Sequence, residues 1–247
     1  VWNARSPIAL DGQGNILTVG AIWNSAQTNW SGHIRKYDGN GNLLWSHTID
    51  QGYYFSLNAV TVDASNQIYV IGTNAPANGN TLMVRTMKLD ASGVVLWTAL
   101  FQPSTYFGDT SSITVTSSGV YTSYTSQLAK RSLDTGALLW DKSGLFGGSV
   151  RAHSAGNIFA LPQGAQGGLT KYDADGNVLQ VFGIAARDYF IADSGNIYTT
   201  GGGGHIRTQK YTRAGVLLWT VETKGKRSGQ ETGWGIKVQG GFVYVGG

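Results

Sequence analysis

The chain has 247 residues, 36 of them glycine and none cysteine, with 13% charged side chains and a formal net charge of +4. The lack of cysteine excludes disulfides, thiolate catalysis and zinc–thiolate sites together. Glycine at about twice its average usage without a G-X-Y period belongs to tight turns and not to a collagen helix. In chain order, two phrases then alternate. The first is a hairpin signal, an alternating apolar run, a Gly/Asn/Ser turn and a second run rich in Val, Ile, Tyr and Thr. It stands as "ALDGQGNILTVG" (9–20), "TVDASNQIYVIG" (61–72), "TVTSSGVYTSY" (114–124), "AHSAGNIFALP" (152–162), "IADSGNIYTTG" (191–201) and "KVQGGFVYVGG" (237–247). The second is a turn followed by an apolar run closing on Trp. It stands as "YDGNGNLLW" (37–45), "LDASGVVLW" (89–97), "LDTGALLW" (133–140), "YDADGNVLQ" (172–180) and "YTRAGVLLW" (211–219).

Each pair of phrases reads as four strands, A to D. In the second unit these are "NAVTVD", "QIYVIGT", "MVRTMKLD" and "VVLWTALF". No stretch has helical periodicity. Four-stranded antiparallel units at a period of about 40 to 50 residues predict the blades of an all-β propeller. Complete units span 7–50, 57–101, 111–143, 148–183 and 187–224. A sixth begins at Gly233 and supplies strands A and B up to Gly247. "VWN" at 1–3 matches the start of a D strand, so residues 1–6 are expected to complete the blade of 233–247. The expectation is a single domain, 1–247, of six blades with the last shared between the termini. Seven blades with part of the chain absent is the alternative. Position 1 is Val and not Met, which points to processing or to a piece of a longer protein.

The alternation of "KYDGNGNLLWSHTI" with "AVTVDASNQIYVIGT" resembles the SBBP-type bacterial β-propeller repeat, and "LDTGALLW" is similar to the PQQ-like repeat. The resemblance covers nearly the whole chain. It implies the propeller fold and a scaffold role of the kind such repeats serve in extracellular, periplasmic and structural proteins. Quinone-dependent enzymes that share the "LDTGALLW" pattern have more blades and longer chains, so no cofactor is implied.

Trp2, Trp45, Trp97, Trp140 and Trp219 recur at one repeat position, which predicts packing between neighbouring blades. Gln180 replaces Trp in the fourth unit, where packing should be weaker or differently filled. The acidic turns "DGNGN" (38–42) and "DADGN" (173–177) alternate ligand-type side chains as a Ca²⁺ loop does. The twelfth position counted from Asp173 is Ile184 and not a bidentate acid, so these are read as hairpin turns and no metal site is expected. The histidines His33, His47, His153 and His205 have no metal-ligand spacing, and no nucleophile elbow or P-loop occurs. No catalytic residue is expected. Lys and Arg are scattered along the chain, which leaves no nucleic-acid footprint, and no apolar run reaches a membrane span.

Repeats that agree on one face and diverge on the other place binding on the divergent face. The A–B and C–D turns are short and alike, whereas the B–C and D–A connections differ from unit to unit. Those connections carry the candidate ligand-binding residues Trp23, Trp30, Tyr53, Tyr54, Tyr106, Phe107, Arg187, Asp188, Tyr189, Glu231 and Trp234. The expected function is a non-catalytic scaffold or interaction module of an extracellular or virion assembly, with periplasmic placement equally compatible. It would bind a protein or glycan partner through that face. A lectin-like propeller is the alternative, and a lyase or hydrolase at the channel mouth the second alternative.

Overall fold

The computed structural model describes residues 7–24, 29–49, 54–75, 83–103, 111–124, 127–144, 148–162, 168–224 and 231–247. Trp2 and the rest of 1–6, with Tyr53, Tyr106 and Phe107, lie outside the described residues. All regular structure among them is strand. Five four-stranded antiparallel sheets follow one another, each a meander in sequence order. The first holds β1 (Ile8–Leu10), β2 (Ile16–Asn24), β3 (Asn29–Tyr37) and β4 (Leu43–Ile49). The second holds β5 (Tyr54–Val62), β6 (Ile68–Ala75), β7 (Met83–Leu89) and β8 (Val95–Phe101). The third holds β9 (Ser111–Thr116), β10 (Gly119–Tyr124), β11 (Gln127–Arg131) and β12 (Leu138–Ser143). The fourth holds β13 (Ser149–Ala152), β14 (Ile158–Leu161), β15 (Thr170–Tyr172) and β16 (Val178–Val181). The fifth holds β17 (Asp188–Ile191), β18 (Ile197–Gly201), β19 (Ile206–Tyr211) and β20 (Leu217–Thr223). A two-stranded sheet of β21 (Gly235–Gln239) and β22 (Phe242–Gly246) ends the chain. Two compact units divide the chain between Val150 and Arg151.

In the first unit the sheets pack face to face. Successive side chains of a strand point to opposite faces, and along β6 both sets are buried. Ile68 and Val70 join Leu17, Val19 and Ile34 of the first sheet in one apolar cluster. Tyr69 and Ile71 join Ile113, Val120 and Tyr124 of the third sheet in another. A strand buried on both faces reads as a continuous apolar run, which is why "IYVIG" does not alternate.

One row of residues crosses every complete sheet. The register pairs Leu17, Lys36 and Trp45 in the first sheet, and Tyr69, Lys88 and Trp97 in the second. It pairs Tyr121, Lys130 and Trp140, then Phe159, Lys171 and Gln180, then Tyr198, Lys210 and Trp219. Five lysines that look scattered along the sequence therefore occupy one structural position. A lysine at such a position can cover apolar surface with its stem while its ammonium is attracted to a ring face or an acid. Lys88, Lys130, Lys171 and Lys210 sit 5.5, 5.6, 5.9 and 5.2 Å from the ring on the second strand. In the first sheet Leu17 offers no ring, and Lys36 instead pairs with the buried Asp11 carboxylate at 2.9 Å.

Directly after the row lysine, every third–fourth strand pairing slips by one residue. The extra residue on the outer strand is Leu44, Leu96, Leu139, Leu179 or Leu218, each about half exposed. These are β-bulges, and on an edge strand a bulge discourages pairing with another chain.

The turns that join first to second and third to fourth strands close on themselves. Asp38 Oδ1 accepts from the amides of Asn40 and Asn42, both at 2.9 Å, while its Oδ2 accepts from Asn42 Nδ2 at 2.8 Å. Asp173 repeats this with Asp175 and Asn177. The carboxylate oxygens of Asp38 and Asp173 are thus engaged by the turn itself. Asp11 does the same with Gln13 and Asn15. Burial works against its charge, but these bonds and Lys36 hold its pKa down at about 2.

A folded-state value below the ordinary one stabilises the fold above about pH 4, and that contribution is lost as the pH falls toward 2. For Asp11 it amounts to about 2 kcal/mol. Asp11→Asn is therefore expected to be less stable than the parent at pH 7 and to approach it at pH 2. Urea midpoints at pH 7, 4 and 2 measure this, and a constant gap between the two proteins would contradict it.

Candidate partner-binding face

Meander topology places two kinds of edge on each sheet. One end carries the self-closed turns. The other carries the starts of the first and third strands and the ends of the second and fourth.

In the first unit, Trp23 and Trp30 sit at this second end. They are paired across β2 and β3, with ring centroids 5.4 Å apart in an edge-to-face arrangement at 72°. Sequence reading places Trp23 and Trp30 on a divergent connection, whereas β2 runs on to Asn24 and β3 starts at Asn29. A cross-strand aromatic pair supports that extension. The two rings remain 50% and 44% exposed. Tyr54, the first residue of β5, is also exposed.

The row tryptophans are placed differently. Trp97 is nearly buried, tilts against Tyr69 with centroids 6.2 Å apart, and donates through Nε1 to the Leu133 carbonyl of the third sheet at 3.0 Å. Gly136 lies under its ring in the left-handed region, at φ +71°, where a Cβ would come within 2.6 Å of the indole. Trp45 is partly buried beside the first cluster, and its neighbour His47 contacts the Ser92 carbonyl of the second sheet through Nε2 at 3.1 Å. Trp140 and Trp219 lean on Tyr121 and Tyr198 of their own sheets.

In the second unit the fourth sheet divides the Trp's tasks between two residues. Gln180 donates to the Ala214 carbonyl of the fifth sheet at 3.2 Å. The buried Phe182 supplies the ring, stacked on Phe159, and sits over Gly215 as Trp97 sits over Gly136.

The second unit also gathers the remaining candidates. Asp188 and Tyr189 lie inside β17 and are buried. Asp188 Oδ1 pairs with Arg151 of β13 at 2.8 Å, and its Oδ2 accepts the Ile236 amide of β21 at 3.0 Å. One carboxylate thereby ties three consecutive sheets. Burial disfavours the Arg151 charge, but Asp188 more than restores it and holds the guanidinium above its ordinary value. Arg151 also lies 5.5 Å from the Tyr189 ring, and the Tyr189 hydroxyl donates to the Phe159 carbonyl at 2.7 Å. Sequence reading passes over Arg151, although a lone cation inside the first-strand pattern of "SVRAH" is a visible signal. Glu231 is half-buried and bridges through its backbone to Gly204. Arg187 and Trp234, both exposed, stand directly before β17 and β21, with the guanidinium carbon 4.3 Å from the indole centroid.

Among the described residues no cluster of three His, Asp or Glu side chains is arranged to hold a metal ion. Among the described residues no helix is long and apolar enough to cross a membrane.

Comparison with solved structures completes the fold. A protein of unknown function from Bacteroides caccae is similar over 90% of this chain and 84% of its own, with TM-score 0.62 and 13% identity. BamB from Moraxella catarrhalis is similar over 96% of this chain and 78% of its own, with TM-score 0.54 and 13% identity. The fold is a β-propeller of four-stranded antiparallel blades. At such identities the likeness is one of fold. No protein-family model matches the chain, so the SBBP-type repeat stands as a resemblance of motif. No curated protein matches the sequence.

Proposed function

We propose that this propeller is a non-catalytic interaction module that binds a partner, protein or glycan, through blade ends of this kind, which carry Trp23, Trp30 and Tyr54 in the first unit and, separately, Arg187 and Trp234 in the second. The supporting observation is the contrast between the two ends of the blades. At the turn end, the carboxylates of Asp38, Asp11 and Asp173 are engaged within their own blades. At the other end Trp23, Trp30, Tyr54 and Trp234 stay exposed, whereas at the turn end of the five complete sheets no described aromatic ring does; Phe242 and Tyr244, also exposed, lie on the two-stranded sheet. Solvent-exposed rings of this kind give contact area at low entropic cost and are over-represented among binding hot spots. The low charge content suits a place outside the cytoplasm, in an extracellular, periplasmic or virion assembly.

Peptide and glycan arrays probed with the parent and with Trp23→Ala/Trp30→Ala test the reading. The double variant is expected to bind its best array ligand about tenfold more weakly or worse, with little change in melting temperature. Unchanged binding would remove these residues from the site. A loss of melting temperature as large as that caused by Trp97→Ala would make them hairpin core.

A further inference from the structure

We propose that Arg187 and Trp234 form a carboxylate subsite that takes an acidic peptide segment of the partner, an inference that rests on the partner-binding reading and narrows it. Arg187 lies closer to its ring than any other cation among the described residues, at 4.3 Å, the next being Lys237 at 5.0 Å from Phe190. Its guanidinium makes no hydrogen bond or ion pair with a described residue. Arg151 and Arg207, by contrast, are paired with Asp188 and Glu222. Asp188, the acid next to Arg187 in sequence, is turned inward to Arg151 and the Ile236 amide. A guanidinium laid on an indole keeps its N–H fork free at the edge, and that fork matches the two oxygens of a carboxylate.

Both residues are anchored through their backbones before any ligand arrives. The Arg187 amide donates to Thr200 at 2.9 Å and the Trp234 amide to Gly246 at 2.7 Å. Part of the ordering cost of binding is thereby met in advance. A peptide carboxylate fits better than a sugar, since Arg187 covers a face of the indole that a sugar ring would need for stacking.

Fluorescence anisotropy with a labelled octaglutamate peptide, and with an oligogalacturonate of equal charge, tests the assignment on the whole chain. Octaglutamate is expected to bind the parent and to bind Arg187→Ala about tenfold more weakly. Arg187→Lys should fall between them, because it keeps the charge but loses the fork. Arg213→Ala, which removes a cation from the turn end of the same blade, should change affinity less than twofold. Equal affinity of parent and Arg187→Ala for octaglutamate, or none in the parent, would overturn the subsite. The broader face reading would still be judged separately by the Trp23/Trp30 variant on its own array ligand. Tighter, Arg187-dependent binding of oligogalacturonate would overturn the peptide assignment in favour of an acidic glycan.

Discussion

Trp97→Ala is expected to lower the free energy of unfolding by about 3–5 kcal/mol, the range for deleting a large core aromatic. Trp97 belongs to the apolar cluster between the second and third blades, with Tyr69 on one side and Gly136 beneath it. Most of the loss would come from the cavity and not from the indole N–H. The Leu133 carbonyl that accepts the Trp97 bond also accepts from Lys88 Nζ at 3.1 Å, so it keeps a partner when the indole is removed. Trp97→Phe should accordingly cost much less than the alanine change. Urea denaturation of both variants measures the difference, and an unmoved midpoint for Trp97→Ala would remove the residue from the core. The Gly136 position makes a companion point about shape. The indole rests where a turn glycine leaves room, so the row position and the next blade's turn are complementary surfaces.

Asp188→Ala should also be damaging, by about 2–3 kcal/mol, because it leaves the half-buried Arg151 charge and the Ile236 amide without their shared acceptor. Asp188 is buried, and its loss would deprive both Arg151 and the Ile236 amide of their acceptor. Three consecutive sheets would lose one shared contact, so the effect should spread from β13 to β21. A double-mutant cycle with Arg151→Ala isolates the pair, and a coupling energy of about 1–3 kcal/mol is expected. Additive losses would show that Arg151 and Asp188 act independently, against the geometry. Truncation of Arg187, the exposed residue beside this tie, should by contrast leave the melting temperature nearly unchanged.

Much of the local architecture is legible in the residues themselves. Turn chemistry and period-two patterning operate over a few residues, and both are written plainly in "TVDASNQIYVIG" and "LDASGVVLW". The strands read there as "NAVTVD", "QIYVIGT", "MVRTMKLD" and "VVLWTALF" correspond to β5, β6, β7 and β8, with β5 starting four residues earlier at Tyr54. Repetition also singles out the Trp row and shows which connections diverge. The leucine bulges are harder to see, because "LLW" and "VLW" look like ordinary strand until the slip after each lysine is known.

What the tertiary structure alone decided are the relations between residues far apart in the chain. Asp188 stands 37 positions from Arg151 and 48 from the Ile236 amide. Its carboxylate reads from sequence as a surface candidate, yet lies inside because two neighbouring sheets close on it. Arg187 and Trp234 come together for the same reason, as each precedes the first strand of adjacent sheets. The five lysines align only once strand register pairs each with the aromatic or Leu on one side and the Trp or Gln on the other. Local propensity specifies how a strand begins and turns. Register, burial and charge pairing depend on which faces the blades present to one another, and no short window of sequence contains that.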